Sequence, residues 1–351
     1  MRLKPGSRQW TVAVLGATGM VGRRFAELLH DHPWFRLGML IGHKSIGEPY
    51  GRVWARKEAA VSAHYWQGRL PGRPCPPALR DEPVRSVEDL LRAPPVDLVF
   101  SAVPQGFGEV EQAVLDRGHL MFSNSPHGRF EGGNPLVVAE VNGGEIERQR
   151  FIKNPNCVTS GLTLVLDAIG QRYGLEEVSA VTFQSLSGRG DALYELDLVQ
   201  GNVYPLHGSS EKTEHFIQRE VQRILGGEVR LSVSCNRVYV QEGHFVDVKL
   251  KTARPIESAA EAAETLAGYA PLVGLPLPSR PAHPIVIVDG PGRPRPREDA
   301  DHGGGMAIAV GNISTADDVY DLRLQFVVNN LVRGAAGGAV LNAELYVHKN
   351  S

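Results

Sequence analysis

The feature that most constrains the fold is a short apolar run that leads directly into closely spaced glycines. Residues 11–15, Thr-Val-Ala-Val-Leu, predict a buried parallel strand because they are aliphatic and rich in β-branched side chains. The chain continues into Gly16-Ala-Thr-Gly-Met-Val-Gly22, and residues 23–30 follow at helical spacing. This order is typical of a dinucleotide-binding βα unit, in which the helix N-terminus holds the pyrophosphate. The alternative is an ordinary strand-to-helix turn.

The cofactor contacts that this motif predicts lie along the whole glycine turn. They are Gly16, Ala17, Thr18, Gly19, Met20, Val21 and Gly22. Further apolar runs at 35–41, 97–103 and 119–123 alternate with helical segments, which indicates a doubly wound parallel sheet. Ligands bind at the carboxyl ends of the strands in such a sheet, so Ser101 and Pro104 are added to the predicted cofactor contacts.

The position after the second strand distinguishes the two nicotinamide cofactors. An NAD enzyme places an Asp or Glu there to bind the ribose 2′-hydroxyl. Here the chain has Lys44 and Ser45 and no acid, which favours the 2′-phosphate of NADP. The alternative is a solvated surface turn. Residues 49–83, rich in Pro, Gly and Arg, predict loop and edge strand.

A second region follows with a different pattern. Residues 178–184, 229–240 and 244–251 alternate as half-buried strands, and 211–225 form an amphipathic helix. We therefore expect an α+β domain beside the first. The predicted division is a Rossmann-type cofactor domain over 1–156, a catalytic and dimerisation domain over 157–325, and a helix over 326–351 that returns to the first domain. The long Pro- and Gly-rich stretch at 289–305 is expected to be mobile.

Cys157 lies between these regions, directly after Asn154-Pro-Asn156 and before an apolar helical run. A cysteine at a helix N-terminus is favoured as a thiolate by unpaired backbone N–H groups and by the helix dipole. The sequence thus makes Cys157 a candidate nucleophile. The alternative is a buried structural cysteine, a common environment for this residue.

Composition excludes several other classes of function. A formal net charge of −2 gives no reason to expect nucleic acid or an anionic membrane as partner. Three scattered cysteines supply neither a disulfide framework nor a zinc motif, so we expect no metal and a reducing, cytoplasmic compartment. The first nine residues lack the apolar segment of a signal peptide, and no apolar run approaches the length of a membrane span.

Five ordered segments together resemble the aspartate-semialdehyde dehydrogenase family, in its archaeal and fungal branch. They are 16–22, Asn154-Pro-Asn-Cys157, Gln184-Ser-Leu-Ser-Gly188, 236–244 and 330–337. The resemblance implies NADP and a homodimer or homotetramer. It also implies the reversible reductive dephosphorylation of L-aspartyl 4-phosphate to the semialdehyde through a cysteine thioacyl intermediate. The expected small-molecule partners are an acyl phosphate or semialdehyde and inorganic phosphate.

The resemblance also implies roles for individual residues. Cys157 matches the nucleophile, His244 the general acid/base and Gln184 the residue that positions the thioacyl group. The substrate ligands are Arg237 for a carboxylate, Lys212 and Arg129 for phosphate, with Glu211 and Asn156 beside them. Ser187, Gly188 and Asn330 are expected beside the cofactor, with Lys44 and Ser45 at its 2′-phosphate. Without the family motifs, Arg129 would be interpreted as a surface charge and His244 as an ordinary surface or core histidine.

One position departs from the family pattern. The family has a glutamate two residues before the lysine, where it binds the substrate amino group, and this chain has Ser210. Glu211 could serve only if the register shifts, because neighbours on a helix point in different directions. The alternative function is therefore a reductase of the same mechanism acting on another acyl phosphate or an acyl-CoA that lacks the amino group, as in malonyl-CoA reductase. A catalytically idle NADP-binding or assembly protein is the alternative from another class.

Overall fold

A computed structural model describes residues 9–227 and 229–350. Residues 1–8, on which the expectation of no signal peptide depends, lie outside the described part. The strands are β1 (Trp10–Leu15), β2 (Phe35–Ile41), β3 (Leu98–Ser101), β4 (Met121–Ser123), β5 (Phe151–Lys153), β6 (Glu177–Gln184), β7 (Val203–Pro205), β8 (Arg230–Val238), β9 (His244–Lys251), β10 (Ile285–Ile287), β11 (Ile308–Ser314) and β12 (Leu322–Val328). The α-helices are α1 (Met20–Leu29), α2 (Tyr50–Trp66), α3 (Val87–Arg92), α4 (Gly108–Asp116), α5 (Ala139–Asn142), α6 (Cys157–Tyr173), α7 (Leu196–Val199), α8 (Thr213–Leu225), α9 (Ala259–Ala267), α10 (Pro296–Asp299) and α11 (Gly337–Asn350).

The first sheet is parallel and has the strand order β2-β1-β3-β4-β5. Both of its faces are covered because the side chains of each strand alternate. Val12 and Val14 pack in one core with α1 and α11, and Ala13 and Leu15 pack in the other with α3 and α4. The predicted doubly wound sheet is confirmed. The chain crosses β1 on its way from β2 to β3, so the crevice for a ligand opens between the loops after β1 and β3.

The second sheet is mixed, with the order β10-β11-β12-β9-β6-β8-β7. One face packs against α6, α8 and α9, which bury the alternate residues Val246, Val248 and Leu250 of β9. The opposite face carries the half-exposed residues between them. This confirms the expected α+β class of the second region. The domain boundaries given above stay predictions.

The end of the chain crosses back to the first sheet. A π-helical turn at Val332–Ala336 precedes α11, whose apolar side chains share a core with α1. Gly334 lies directly against the start of α6, where an added Cβ would be 2.6 Å from the Cβ of Cys157. The chain near residue 334 is therefore part of the wall around Cys157.

Two sequence expectations about local structure were wrong, and one strand was not predicted. Residues 50–66 form the helix α2 instead of loop, because Tyr50, Val53 and Trp54 face the core, a helical spacing hidden by the flanking prolines and glycines. Residues 151–153 form β5, the fifth strand of the first sheet, which is too short to show a pattern. Residues 289–305 were expected to be mobile but are packed, since Pro296 of α10 and Ala300 after it lie against Gly243, with the Cβ of Ala300 3.0 Å from where a Cβ of that glycine would be.

Candidate active site

Cys157 is the first residue of α6, as the sequence predicted. The side chain of Asn156 caps the helix, because its Oδ1 accepts a hydrogen bond of 2.9 Å from the N–H of Val158. The preceding N–H, of Asn156 itself, donates to the carboxylate of Glu220 at 2.6 Å. Both contacts fix the turn that presents the thiol.

Gln184, Arg237 and His244 come together at one edge of the second sheet. Gln184 ends β6, Arg237 lies opposite it near the end of the parallel strand β8, and His244 begins the antiparallel strand β9. All three side chains lie on the buried, helix-covered face because the burial of each strand alternates residue by residue. The Nε2 of Gln184 donates to the hydroxyl of Thr182 at 3.1 Å.

The imidazole of His244 contacts the thiol directly. Its Nε2 lies 3.1 Å from the Sγ of Cys157. The backbone N–H of Ser185 donates to Nδ1 at 3.0 Å, so in the neutral ring the proton is on Nε2. The Ser185 hydroxyl lies 3.1 Å from the same Nδ1 and can accept a proton from it in the other tautomer. Because the backbone donor cannot turn away, this geometry favours the tautomer with its proton on Nε2, and a proton on Nδ1 requires the ring to move away from the Ser185 N–H.

Burial dominates the electrostatics of this pair. It raises the pKa of the Cys157 thiol to about 11, against the opposing effect of Arg237 and of the helix N–H groups. Burial and the positive charge of Arg237 hold the pKa of His244 well below its usual value. Both groups are therefore uncharged at neutral pH. The expectation that the helix terminus would keep Cys157 as a thiolate was wrong, because desolvation outweighs it.

Arg237 lies in a charged cluster beside His244. Its side chain is only 1% exposed and donates to the carboxylate of Glu211 at 2.6 Å, the carbonyl of Ser185 at 2.8 Å and the hydroxyl of Tyr194 at 3.1 Å. Glu211 precedes α8 in a turn, so the helical geometry invoked against it does not apply. Ser210 is exposed. The acid in this cluster is therefore Glu211.

Arg129 is buried and is not a surface charge. Its guanidinium donates to Glu220 at 2.9 Å and to the carbonyl of Asn124 at 2.7 Å, while its buried Nε has no partner among the described residues. Glu220 is fully buried and also accepts from the hydroxyl of Thr159. Lys212 is exposed at the N-terminus of α8, and no contact of the described residues joins its side chain to Arg129.

The glycine turn after β1 has the geometry of a phosphate cradle. A Cβ on Gly16 would lie 2.8 Å from the carbonyl of Ala102, and one on Gly22 would lie 2.1 Å from the carbonyl of Gly16. These close approaches admit only glycine and bring the loops after β1 and β3 together. Ser101, at the end of β3, has a buried hydroxyl without a partner among the described residues. The turn fits a dinucleotide pyrophosphate at the N-terminus of α1.

The turn after β2 contains Ser45, and α2 adds a residue that the sequence did not predict. Arg56 donates from Nη2 to the Ser45 hydroxyl at 3.2 Å and forms an ion pair of 2.8 Å with Glu48. Lys44 is exposed. A hydroxyl and a lysine in the turn, with an arginine from α2 beside them, suit a phosphate monoester. Arg56 was not predicted because the helix that carries it, α2, was not predicted.

Asn330 connects the segments around His244. Its Oδ1 accepts from the hydroxyl of Ser185 and the N–H of Gly243, both at 3.0 Å, and its Nδ2 donates to the hydroxyl of Ser187 at 2.9 Å. Most of its hydrogen-bonding capacity is therefore used within the protein.

Because Gly188 has no side chain, Arg237 and His244 can lie close to its backbone. A Cβ there would lie 2.6 Å from Nη1 of Arg237 and 2.8 Å from Cε1 of His244. A cavity of about 70 Å³ opens between α1, α2 and the loops after β6 and β8, lined by residues that include Met20 and Ser187. Both residues were predicted to contact the cofactor.

Two negative observations apply to the described part of the chain, 9–227 and 229–350. No three His, Cys, Asp or Glu side chains in it are grouped so as to hold a metal ion. None of its helices combines the length and the apolar character needed to cross a bilayer.

Comparison with known proteins gives matches over most of the chain. Residues 11–149 match the family described as semialdehyde dehydrogenase, NAD binding domain, and residues 166–333 match semialdehyde dehydrogenase, dimerisation domain. An aspartate-semialdehyde dehydrogenase from Methanothermobacter thermautotrophicus is 34% identical, over 95% of this chain and 98% of that protein. A malonyl CoA reductase (NADP) from Metallosphaera sedula is 31% identical, over 97% and 98%.

A solved structure agrees with these matches. The crystal structure of aspartate semialdehyde dehydrogenase with NADP from Candida albicans superposes with a TM-score of 0.83 and 28% identity, covering 98% of this chain and 99% of that one.

Proposed function

The chain belongs to the semialdehyde dehydrogenase family, and we propose that it is an NADP-dependent aspartate-semialdehyde dehydrogenase that interconverts L-aspartyl 4-phosphate and L-aspartate 4-semialdehyde. The observation that carries the proposal is the 3.1 Å contact between Cys157 and His244, next to the Arg237–Glu211 pair. A nucleophile, an acid/base and a carboxylate ligand are the groups that this reaction needs in one place.

The covalent step uses Cys157. Its sulfur attacks the acyl carbon, a C–S bond forms, and the C–O bond to phosphate breaks with its electron pair leaving on phosphate. The thiol proton is taken by Nε2 of His244 after the ring proton has moved to Nδ1, which requires the ring to turn from the Ser185 N–H toward the Ser185 hydroxyl. The nicotinamide of NADPH supplies the hydride that reduces the thioester carbon. His244 then returns a proton from Nε2 to the sulfur as the semialdehyde leaves.

The substrate is oriented by charges at its two ends. Arg237 binds the carboxylate with N–H groups that its three protein partners leave free. Lys212 and the unpartnered Nε of Arg129 bind the phosphate. Gln184 and Asn156 line the acyl group between them.

The cofactor site follows the first sheet. The glycine turn binds the pyrophosphate, with Ser101 and Pro104 across the crevice, and Ser45, Lys44 and Arg56 bind the 2′-phosphate that distinguishes NADP. Ser187, Gly188 and Asn330 bound the nicotinamide end. The NADP complex of the Candida albicans enzyme supports this choice of cofactor.

The assembly and the compartment are part of the proposal. We infer a homodimer or homotetramer formed through the second domain, in agreement with the dimerisation domain that it matches. Three free cysteines suit a reducing cytoplasm. The domain limits of 1–156, 157–325 and 326–351 complete the assignment.

A second candidate is reduction of an acyl phosphate or acyl-CoA without an α-amino group. It is favoured by Ser210, which stands where the family has its amino-binding glutamate, and by the similarity to malonyl CoA reductase. The substrate would then lack the ammonium group while the chemistry at Cys157 stayed the same.

The test is a steady-state assay of phosphate-dependent oxidation of L-aspartate semialdehyde with NADP. Turnover that is lost in Cys157→Ser, together with loss of the covalent adduct by mass spectrometry, is the expected result. A folded, NADP-binding protein with no turnover of this semialdehyde would eliminate the aspartyl assignment, and turnover of malonyl-CoA by the same protein would establish the second candidate.

A further inference from the structure

A second arginine shares the carboxylate of Glu211. Arg189 lies in the loop after β6, and its Nη1 is 3.1 Å from Oε1 of Glu211. Its guanidinium stacks over the ring of Tyr194 at 4.6 Å, and the Tyr194 hydroxyl donates to the same carboxylate oxygen. Arg189 therefore belongs to the cluster that contains Arg237, although no sequence motif identified it.

Glu211 has little capacity left for another donor. A carboxylate offers about four lone-pair positions. Arg189 and Tyr194 occupy Oε1, and Arg237 occupies Oε2. One position remains for a substrate ammonium group, and the two arginines and one glutamate leave the cluster with one net positive charge.

Of the two guanidinium groups, Arg189 is the more accessible. The side chain of Arg237 is 1% exposed and is held by Glu211, Tyr194 and a backbone carbonyl, whereas that of Arg189 is 31% exposed. The Nε of Arg189 is buried and has no partner among the described residues. An incoming carboxylate thus finds donor capacity on Arg189 beside that of Arg237.

We propose that Arg189 is a specificity-determining residue: it is the second guanidinium of the carboxylate subsite and, by occupying Glu211, it extends the substrate range to short semialdehyde carboxylates that lack the α-amino group. The inference rests on the proposed function and specifies its substrate class. Removal of Arg189 frees one acceptor position on Glu211 and lowers the charge of the cluster by one. The subsite then binds an ammonium group better and a carboxylate less well.

Two aldehydes isolate this effect. L-aspartate semialdehyde and succinate semialdehyde have the same chain length, carboxylate and reacting carbon, and differ only in the amino group. Arg189→Ala is expected to shift the ratio of their kcat/KM values about tenfold toward the amino substrate, most of it through KM for succinate semialdehyde. Arg189→Lys, which keeps the charge without the planar fork, should give an intermediate ratio.

Arg172→Ala is the matched control, because it removes a guanidinium from an ion pair with Glu261 at the far end of α6. This variant should leave the ratio at the wild-type value. A ratio in Arg189→Ala equal to that of the wild type and of this control would overturn the inference.

A binding measurement separates this inference from the proposed function, since it needs no turnover. Succinate and L-aspartate are used to protect Cys157 from alkylation by iodoacetamide. Both should protect the wild type, and Arg189→Ala should require about tenfold more succinate but a smaller increase in L-aspartate. If this pattern holds in a protein that oxidises neither aldehyde, the proposed function fails, and only the place of Arg189 in the carboxylate subsite stands. If the wild type oxidises L-aspartate semialdehyde but is not protected by succinate, or if Arg189→Ala changes neither measurement, the inference fails alone.

Discussion

The Nε2 of His244 lies 3.1 Å from the Sγ of Cys157, although these residues begin different elements, β9 and α6, and are 87 residues apart in the chain. The other ring nitrogen of His244 is also held, because the N–H of Ser185 donates to Nδ1 at 3.0 Å. His244 is therefore oriented before any substrate binds.

His244→Asn should lower kcat by roughly 100- to 10,000-fold, the usual effect of removing a general acid/base. The KM for NADP should be unchanged, because the side chain contacts the thiol and not the cofactor turn. His207→Asn is the control, since His207 is an exposed histidine paired with Glu214. Full activity in His244→Asn would refute the assigned role.

The resting thiol should show the reactivity of a high-pKa cysteine. Because burial raises the pKa of Cys157 to about 11, the thiolate fraction increases with pH throughout the neutral and mildly alkaline range. The rate of alkylation by iodoacetamide in the absence of substrate should rise about tenfold per pH unit between pH 7 and 9. A rate that reaches a plateau below pH 8 would mean that the helix terminus outweighs burial.

The preference for NADP should depend on Ser45 and Arg56. Ser45→Ala and Arg56→Ala should each weaken NADP binding about tenfold and leave NAD binding unchanged, because only NADP has the 2′-phosphate. Fluorescence titration of both cofactors measures this. Arg36→Ala should alter neither affinity, because Arg36 is near the start of β2, at the end of the strand away from the Ser45 turn, where it contacts Thr11. Equal weakening of the two cofactors would argue against the 2′-phosphate site.

Glu220 should be a major determinant of stability. It is fully buried and neutralises Arg129, so Glu220→Ala leaves a buried guanidinium without its counterion. We expect a loss of about 3–5 kcal/mol in the free energy of unfolding, measured by urea denaturation. Glu261→Ala, which removes a glutamate from a solvent-exposed ion pair with Arg172, should cause a far smaller change. Comparable effects of the two variants would contradict this prediction.

Gly334→Ala should disturb the nucleophile from the C-terminal side. The added Cβ would lie 2.6 Å from the Cβ of Cys157, so either the turn or α6 must shift. Overpacking of this kind costs about 1–3 kcal/mol, and kcat should fall with it. Gly132→Ala adds the same methyl group where no heavy atom lies within 4 Å. If both variants retained full activity and stability, this close approach would not be essential.

The sequence predicted the parts of the site whose chemistry is local. The strand, glycine turn and helix at 11–30 formed as expected, and so did the helix that starts at Cys157. The strand beginning at His244 has the predicted limits. In each case the pattern and the structure arise from the same few consecutive residues.

The features of the candidate site that the sequence did not predict depend on contacts between distant segments of the chain. The pKa of Cys157 follows from desolvation by elements far along the chain, and no motif at a helix start carries that information. Arg189 and Glu211 are 22 residues apart and meet only through the fold. Glu220 had a signal, because it is a carboxylate on the buried face of the amphipathic helix α8, where a charge needs a partner.

The contact of Gly334 with Cys157 also sets when the protein can first become reactive during its synthesis. Translation proceeds at about 5–20 residues per second, so the thiol exists for on the order of ten seconds before residue 334 is made. His244 and Arg237 join the chain within that interval, but the wall formed by the π-helical turn does not. A nascent chain on the ribosome thus carries Cys157 before the wall around it exists, and the acylation proposed for this thiol waits until translation has passed that turn.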